Sequence, residues 1–321
     1  MATTERVGRP PIRVQAIGWA LTSWALFASS GPVAKAVMAT GWSPAAVTSV
    51  RITLAAILLV PVVAVLRPRA LRFRRADLWL LLGYGALGVA GVQLLFFVAV
   101  ARIPVAVAMV LVNLAPVLVA LWVQTARHTR LPAPVWLGVG LALTGLALVA
   151  QLWQSTHLTM LGIAAGLGSA ICSAGYFLLG EHGAGRHDPA GLTALGLTIG
   201  AVVVAMFTPP WTLPTHLLTA PAVLGGLQAP VWLLVLTLAV AGTVLPYLAG
   251  LRALRDLPSA PASVLAVVEP LVAAVLAWLL LGQSLEPAQI VGAVIMLIGA
   301  VLAQTTMPET APAFPDRMQD N

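Results

Sequence analysis

Long apolar runs, each about the length of a membrane-spanning helix, follow one another along almost the whole chain. Polar and charged residues fall mainly in the short segments between these runs. A bilayer core is crossed by roughly 20 apolar residues in helical conformation. The pattern therefore predicts ten transmembrane helices, at about residues 14–39, 44–66, 77–101, 104–126, 133–151, 159–181, 189–208, 230–254, 258–281 and 286–305. The proline-rich stretch 208–230 is predicted to be an external loop that can hold a short surface helix.

Two segments of the chain repeat each other at a constant offset of 154 residues. Two prolines and two glycines stay in register without a gap, in the pairs Pro104 with Pro258, Pro116 with Pro270, Gly138 with Gly292 and Gly145 with Gly299. Because proline and glycine constrain the backbone in special ways, these matches carry more information than matched Leu, Val or Ala. The chain is therefore predicted to contain two copies of one membrane unit, an organisation typical of transporters.

The composition supports a membrane protein and excludes an ordinary soluble domain. Hydrophobic residues make up 60% of the chain and charged residues only 8%, whereas soluble domains have about 25% charged residues. The net charge of +7 does not indicate a nucleic-acid partner, because the arginines lie between apolar spans, where membrane topology explains them. Cys172 is the single cysteine, which excludes an internal disulfide.

The distribution of Lys and Arg predicts the orientation in the membrane. With the N-terminus in the cytoplasm, the cytoplasmic segments would contain fourteen arginines, and the external segments only Lys35 and Arg102. This asymmetry follows the positive-inside rule. Both termini are therefore predicted to be cytoplasmic, with tails at residues 1–13 and 306–321.

Ten helices with matching halves divide into two five-helix repeats, at residues 14–151 and 159–305. An odd number of helices in each repeat turns the second copy upside down relative to the first. The predicted fold is thus an all-α membrane protein with ten transmembrane helices in two inverted five-helix repeats. In such folds the substrate site lies near the bilayer midplane, between the repeats.

Three parts of the chain carry a resemblance to a known family. They are the helix 1 sequence FASSGPVAKAVMATGWSP, Arg51 near the start of helix 2, and the helix 9 sequence VVEPLVAAVLAWLLLGQSLEPAQIVGA with its Glu269-Pro270 pair. These parts resemble the EamA family of the drug/metabolite transporter superfamily, whose members have ten helices in two five-helix repeats. The resemblance extends over about residues 14–305.

The resemblance implies a secondary transporter of the cell (inner or plasma) membrane, in most cases an exporter of amino acids or other small metabolites. Lys35 matches the lysine that the family's opening stretch reaches. Phe27-Ala28 stand in place of the usual Trp-Gly, and Gln283 stands in place of the usual Glu. A role of that family carboxylate is therefore not expected here. The family pattern does not indicate which substrate is carried.

Glu269 is the strongest candidate for a functional residue, because it lies at the centre of predicted helix 9. A charge at that depth costs about 2.5–3.5 kcal/mol on insertion scales, so it should face a cavity or a partner. Glu269 can couple transport to protons or bind a cation; the alternative is a structural ion pair or a protonated acid. The equivalent position in the first repeat is Ala115, so any role of the carboxylate is asymmetric.

Three further polar residues are candidates for substrate binding, each with a structural alternative. Arg51 can hold a substrate carboxylate with two hydrogen bonds, or it can form a salt bridge or extend to the membrane surface. Lys35 can line the external mouth of the path or extend to the surface in the same way. Asn113 precedes Pro116 by about one helical turn, and a mid-membrane Asn needs a hydrogen-bond partner, from another helix or from a substrate.

Gln93 and Tyr247 occupy equivalent positions in the two repeats and are candidates for lining the cavity together. Pro116 and Pro270 each remove one backbone hydrogen bond, so they are predicted to kink helices 4 and 9 around the cavity; the alternative is a passive bend in each helix. The aromatic residues that can form a wall of the cavity, or else pack or anchor the helices at the interface, are Trp19, Trp24, Tyr176 and Trp278.

Together these features predict a secondary active transporter that works by alternating access. A passive facilitator or channel on the same fold is the alternative. A membrane enzyme is disfavoured, because the chain has neither an H-E-x-x-H nor a G-x-S-x-G motif and its histidines lie at span ends or in loops. The predicted partners are a small-molecule substrate and the lipid bilayer, with protons as a candidate coupling ion. No cofactor, metal or nucleic acid is expected, and both a monomer and a homodimer remain open.

Overall fold

The computed structural model describes residues 12–100, 102–103, 105–128, 130–149, 151, 159–266, 268–281 and 286–306. Most of this part of the chain is helical. The helices of the first half are α1 (Ile12–Met38), α2 (Pro44–Leu66), α3 (Leu78–Gly83), α4 (Val92–Val100), α5 (Val105–Val112), α6 (Ala115–Thr125) and α7 (Ala133–Val149). Those of the second half are α8 (Met160–Ala184), α9 (Pro189–Phe207), α10 (Val231–Ala239), α11 (Leu245–Asp256), α12 (Ser259–Leu265), α13 (Val268–Leu281) and α14 (Pro287–Thr306).

Among the described residues, six helical stretches are long and apolar enough to cross a membrane. They cover Pro44–Leu66, Arg75–Ala99, Val107–Thr125, Met160–Ala184, Pro189–Phe207 and Val231–Asp256. Shorter apolar helices cover Ala133–Val149, Ser259–Ala273 and Pro287–Ala303. Large apolar side chains such as Ile57, Leu137 and Ile171 are exposed on these helices. Exposed apolar surface on this scale is expected where a protein contacts lipid.

In the part of the chain that the structure describes, helical geometry changes within four of the predicted spans, at related positions in the two halves. Between α3 and α4 the backbone is π-helical over Tyr84–Gly91, and between α10 and α11 over Val240–Val244; we call these the first and second π segments. At the repeat offset, the first π segment corresponds to residues 238–245, which contain the second. α5 stops at Val112 before α6 begins, and α12 likewise stops at Leu265 before α13. Because π-helical turns occur frequently at functional sites, these positions indicate where such a site lies.

Helices of one half pack mainly against helices of the other half. α1 packs along α11 and α13, while α8 packs against α4, α5 and α6. α6 also contacts α12. Both α1 and α8 therefore lie at the boundary between the halves, and the π segments face this boundary through their contacts with α1 and α8.

The segment between α9 and α10 contains more structure than the predicted external loop. Two short 3-10 turns are followed by an antiparallel hairpin of β1 (Pro221–Leu224) and β2 (Leu227–Pro230). Its two-residue turn has positive φ at Gly225 and Gly226, as such hairpin turns require. Ala222 of the hairpin joins a buried cluster with the last turns of α1 and with α10. The hairpin is therefore held by tertiary packing, which the proline-rich sequence did not reveal.

α7 and α14 approach each other closely through the glycines that align between the repeats. A Cβ on Gly138 would lie 2.7 Å from the carbonyl oxygen of Gly299, and a Cβ on Gly145 would lie 2.5 Å from that of Gly292. Both contacts leave no room for a side chain, as in other close crossings of membrane helices. The pairing is reciprocal: Gly138, the first repeat-matched glycine of α7, faces Gly299, the second of α14, and Gly145 faces Gly292.

We expect Gly145→Ala to lower the stability of the protein by about 1–3 kcal/mol, because the methyl group would overpack the contact with α14. Gly140→Ala is the matched control on the same helix, since no atom lies within 4 Å of a Cβ at Gly140. This control should be neutral or slightly stabilising, as alanine favours the helix. Thermal unfolding in detergent measures both, and equal shifts for the two variants would contradict the prediction.

Candidate functional site

A cluster of aromatic side chains lies where α1, α8, α11 and the first π segment meet. Neighbouring ring centroids are 5.2–5.8 Å apart in tilted or edge-on arrangements, the geometry that aromatic pairs prefer. The members of this aromatic cluster are Trp24, Phe27, Tyr84, Tyr176, Phe177 and Tyr247. The cluster therefore joins both halves of the chain.

Polar atoms in and beside the aromatic cluster are buried without hydrogen-bond partners among the described residues. They are the hydroxyl groups of Tyr84 and Tyr176 and the Oε1 atom of Gln93. Leaving a buried polar group unsatisfied costs about 1–3 kcal/mol, and each case in a native protein calls for an explanation. All three atoms belong to side chains in or beside this one aromatic cluster, which indicates a region suited to a hydrophilic ligand.

The equivalent residues Gln93 and Tyr247 contact each other across the two halves. Gln93 Nε2 donates a hydrogen bond to the Tyr247 hydroxyl oxygen at 3.4 Å. That hydroxyl in turn donates to the carbonyl oxygen of Gly88 in the first π segment at 3.0 Å. The structure thus brings this predicted pair together, and Gln93 keeps its Oε1 atom for another donor.

Arg51 of α2 is buried, with 6% of its surface exposed, and reaches the second π segment. Its Nε donates to Thr243 Oγ1 at 3.2 Å and its Nη2 to the carbonyl oxygen of Gly242 at 3.3 Å. No carboxylate of a described residue forms an ion pair with it. The altered helical geometry offers this carbonyl to the guanidinium, so the π segment positions the cation in the protein interior.

Glu269 lies in the first turn of α13, directly after the break that follows α12, and is half-buried. Its carboxylate forms no hydrogen bond or ion pair with any residue that the structure describes. It does interact electrostatically with Arg51 and with Tyr247 at longer range. We call the region around these three groups, a cation, a carboxylate and a phenol from three different helices, the central site.

Other predicted residues take different positions. The Asn113 amide donates to the carbonyl oxygen of Met109 at 2.9 Å, so it satisfies a backbone carbonyl group in the last turn of α5, directly before Asn113. Lys35 is exposed on α1. Neither residue forms a hydrogen bond or ion pair with the central site within the described part of the chain. Pro116 and Pro270 occupy the first turns of α6 and α13, beside the two breaks.

The predicted aromatic wall divides into separate groups. Trp24 and Tyr176 belong to the aromatic cluster. Trp19, by contrast, is 42% exposed, and the Arg252 guanidinium lies over its ring, 5.4 Å from the centroid. The side chain of Trp278 lies outside the described residues. Sequence reasoning missed Tyr84 and Thr243, although both are polar residues beside glycine inside apolar runs, a signal that could have found them.

A second polar site connects the end of α6 with α8 and α12. The Arg127 guanidinium forms two bonds with Glu181, from Nη2 to Oε2 at 2.6 Å and from Nη1 to Oε1 at 3.3 Å. The two side chains are only 4% and 10% exposed. Ser259 Oγ lies 3.5 Å from Arg127 Nη2. This bidentate pair joins the first half of the chain to the second.

Apolar outer surfaces, interrupted helices and a buried polar site at the junction of the halves define a multi-pass membrane transport protein. The family model of the EamA-like transporter family matches residues 14–151 and again residues 160–305. The chain belongs to this family. It is therefore a multi-pass transporter of the inner membrane and not an enzyme, and its substrate is a small molecule.

Curated relatives cover most of the chain. The threonine/homoserine exporter RhtA of Escherichia coli (strain K12) is 30% identical over 266 residues, which are 80% of this chain and 79% of that protein. RhtA of Salmonella typhimurium (strain SL1344) is 32% identical over 81% of each chain. A protein of known crystal structure matches 96% of this chain and 100% of its own with a TM-score of 0.72. At 16% identity, that match concerns the fold alone.

Proposed function

We propose that the protein exports small hydrophilic amino acids and that the central site binds them. The observation that carries this proposal is the presence of a buried cation, Arg51, and a half-buried carboxylate, Glu269, in one site. An amino acid has the complementary pair of charges. Arg51 would bind the substrate carboxylate through Nη1, which no described residue engages, and Glu269 would bind the ammonium group.

The polar atoms of the aromatic cluster favour a substrate with a hydroxyl group on its side chain. Such a group would form hydrogen bonds with the hydroxyl groups of Tyr84 and Tyr176 and with the Oε1 atom of Gln93. These bonds would offset the free-energy cost of burying the three polar atoms. The exporters of Escherichia coli and Salmonella to which the chain is similar are named for threonine and homoserine, and both of these amino acids carry a hydroxyl group. Small hydroxy amino acids are therefore the substrate class that the central site suits best.

Transport would proceed by alternating access between two inverted five-helix repeats, residues 14–151 and 159–305, with cytoplasmic tails. Three observations support this arrangement: the reciprocal glycine contacts of α7 and α14, the related breaks in the two halves, and the two matches to one family model. Pro116 and Pro270, beside the breaks, would serve as the points at which the helices bend. The Arg127–Glu181 pair would hold the cytoplasmic ends of α6, α8 and α12 together when the path is closed on that side.

Glu269 would also link transport to a proton gradient, since it is a carboxylate that exchanges between protonated and ionised forms at the central site. A passive facilitator on the same fold remains the alternative mechanism. Accumulation of substrate against its gradient would support the active mechanism, whereas equilibration alone would favour the facilitator.

Counterflow in proteoliposomes tests the substrate proposal. Vesicles that contain the purified protein and unlabelled threonine should take up labelled threonine or homoserine faster than empty vesicles. Arg51→Gln should reduce this uptake by about tenfold or more, because a charge-assisted hydrogen bond is worth about 1.5–3 kcal/mol. Arg102→Gln is the control, since Arg102 is exposed and bonds to the carbonyl oxygen of Val98. Uptake equal to that of empty vesicles for every amino acid tried would refute the proposal.

A further inference from the structure

A cavity of about 740 Å³ lies between the segment 66–72, which follows α2, and the loop 186–188 between α8 and α9. The arginine distribution places it at the cytoplasmic membrane surface. Four arginines contribute to its lining, together with one carboxylate; they are Arg67, Arg69, Arg72, Arg186 and Asp188. The cavity belongs to neither the central site nor the Arg127–Glu181 pair.

The walls of the cavity are fixed by contacts between its two segments. Arg67 Nη1 lies 3.2 Å from Asp188 Oδ2, and Asp188 Oδ1 accepts a hydrogen bond from Ala190 N at 2.8 Å, which caps α9. Gly191 approaches the carbonyl oxygen of Ala70 so closely that a Cβ would collide with it. The cavity is therefore defined by tertiary contacts between its two walls, and its arginines do not lie on an unpacked loop.

The charges around the cavity are unbalanced. Arg67 shares the Asp188 carboxylate, whereas Arg69, Arg72 and Arg186 form no ion pair with a described residue. Guanidinium groups bind phosphate oxygens with two parallel hydrogen bonds, so a concave site with several of them suits a phosphate group. The positive-inside rule requires only that these charges lie on the cytoplasmic side; it does not require them to surround one cavity.

An apolar track leads away from the cavity along α2. Val62, Val65 and Leu66 are all exposed, at 51%, 79% and 73%, and their spacing places them on one face of the helix. Leu66 also belongs to the cavity lining. A ligand with a phosphate head and an acyl chain would therefore contact arginines with its head and this helix face with its chain.

We propose that this cavity binds a phosphate group and that the group belongs to an anionic phospholipid of the cytoplasmic leaflet. The arginines hold the headgroup phosphate, and the exposed face of α2 contacts the acyl chain. The proposal does not depend on which substrate the transporter carries. Free inorganic phosphate offers the same chemistry to the arginines but nothing to the apolar track.

Native mass spectrometry of the purified full-length protein tests the site with phosphatidylglycerol, phosphatidylcholine and inorganic phosphate as probes. Phosphatidylglycerol should bind more tightly than phosphatidylcholine. The triple variant Arg69→Gln, Arg72→Gln, Arg186→Gln should lose more than tenfold in affinity for phosphatidylglycerol, since each basic residue near an anionic surface contributes about fivefold. Arg252→Gln, which removes a charge predicted to be cytoplasmic from beside Trp19, should retain full affinity.

A second variant separates lipid binding from effects on insertion and folding. Replacing the same three arginines with lysine keeps every positive charge, and thus the topology, but removes the pair of parallel hydrogen bonds that a guanidinium group forms with phosphate. We expect this variant to lose several-fold in affinity for phosphatidylglycerol, with unchanged thermal unfolding. Unchanged phosphatidylglycerol affinity in both triple variants would overturn the site. Binding of inorganic phosphate without preferential binding of phosphatidylglycerol would refute the proposal that the bound phosphate group belongs to a phospholipid.

Discussion

Glu269→Gln is expected to abolish substrate accumulation driven by a pH gradient, with at least a tenfold loss of the driven rate, while counterflow exchange slows only several-fold because the amide oxygen still accepts a hydrogen bond from the substrate ammonium group. Glutamine keeps the size and the hydrogen-bonding capacity of the side chain but cannot release a proton. Among the described residues, Glu269 is the carboxylate that interacts electrostatically with Arg51 and Tyr247, so no neighbour at the central site can replace it.

Proteoliposomes with and without an imposed pH difference provide the measurement. Glu286→Gln is the matched control, because Glu286 is exposed and bonds to the Gln151 side chain, away from the central site. Unchanged dependence on the pH gradient in Glu269→Gln would remove proton coupling through this residue. Loss of counterflow as well would instead indicate that substrate binding requires the charge of the carboxylate and not only a hydrogen-bond acceptor at this position.

Glu181→Gln is expected to open the cytoplasmic side of the protein and to lower its stability. Removing one partner of a buried ion pair costs about 3–5 kcal/mol, because the remaining charge stays in a poorly solvated position. The Arg127–Glu181 pair is buried and bidentate, so its loss should weaken the packing of α6, α8 and α12 against one another. An exposed pair provides the contrast: Arg67→Gln breaks the ion pair with Asp188, in which Arg67 is 58% exposed, and should cost about 0–1 kcal/mol.

Cysteine labelling measures the opening. In a Cys172→Ala background, which removes the chain's single cysteine, a Ser259→Cys reporter sits beside Arg127, and Ser259 is fully buried. Glu181→Gln should raise the labelling rate of this cysteine several-fold, and the exchanged pair Arg127→Glu with Glu181→Arg should restore a slow rate. Equal labelling rates with and without the pair would contradict its role as a cytoplasmic closure.

The residues of the central site that could be predicted share one property, which is a polar side chain inside an apolar run. Arg51 and Glu269 could be predicted as functional residues because a charged side chain inside a membrane span costs free energy. Gln93 and Tyr247 stood out because they occupy equivalent positions at the repeat offset, and they do contact each other. The roles proposed for Lys35, Asn113, Pro116 and Pro270 remain predictions.

The Arg127–Glu181 pair could not be predicted from the sequence. Arg127 is one of many arginines that the positive-inside rule explains equally well, and Glu181 is 54 residues away. The Arg127–Glu181 ion pair can be recognised only in the folded protein, where α6 and α8 lie side by side. The cavity between residues 66–72 and 186–188 escaped prediction for the same reason, since its two walls come from different halves of the chain.

Periodic apolar runs, the arginine asymmetry and the repeated prolines and glycines determined by themselves that this is a membrane protein of two related halves with a family resemblance to transporters. These properties depend on the cost of placing polar groups in lipid and on local backbone restrictions, both of which act residue by residue. Only the tertiary structure decided which polar residues meet. The second π segment directs the Gly242 carbonyl at Arg51, and α1 and α8 bring the rings of the aromatic cluster together. These contacts depend on how helices distant in the sequence pack.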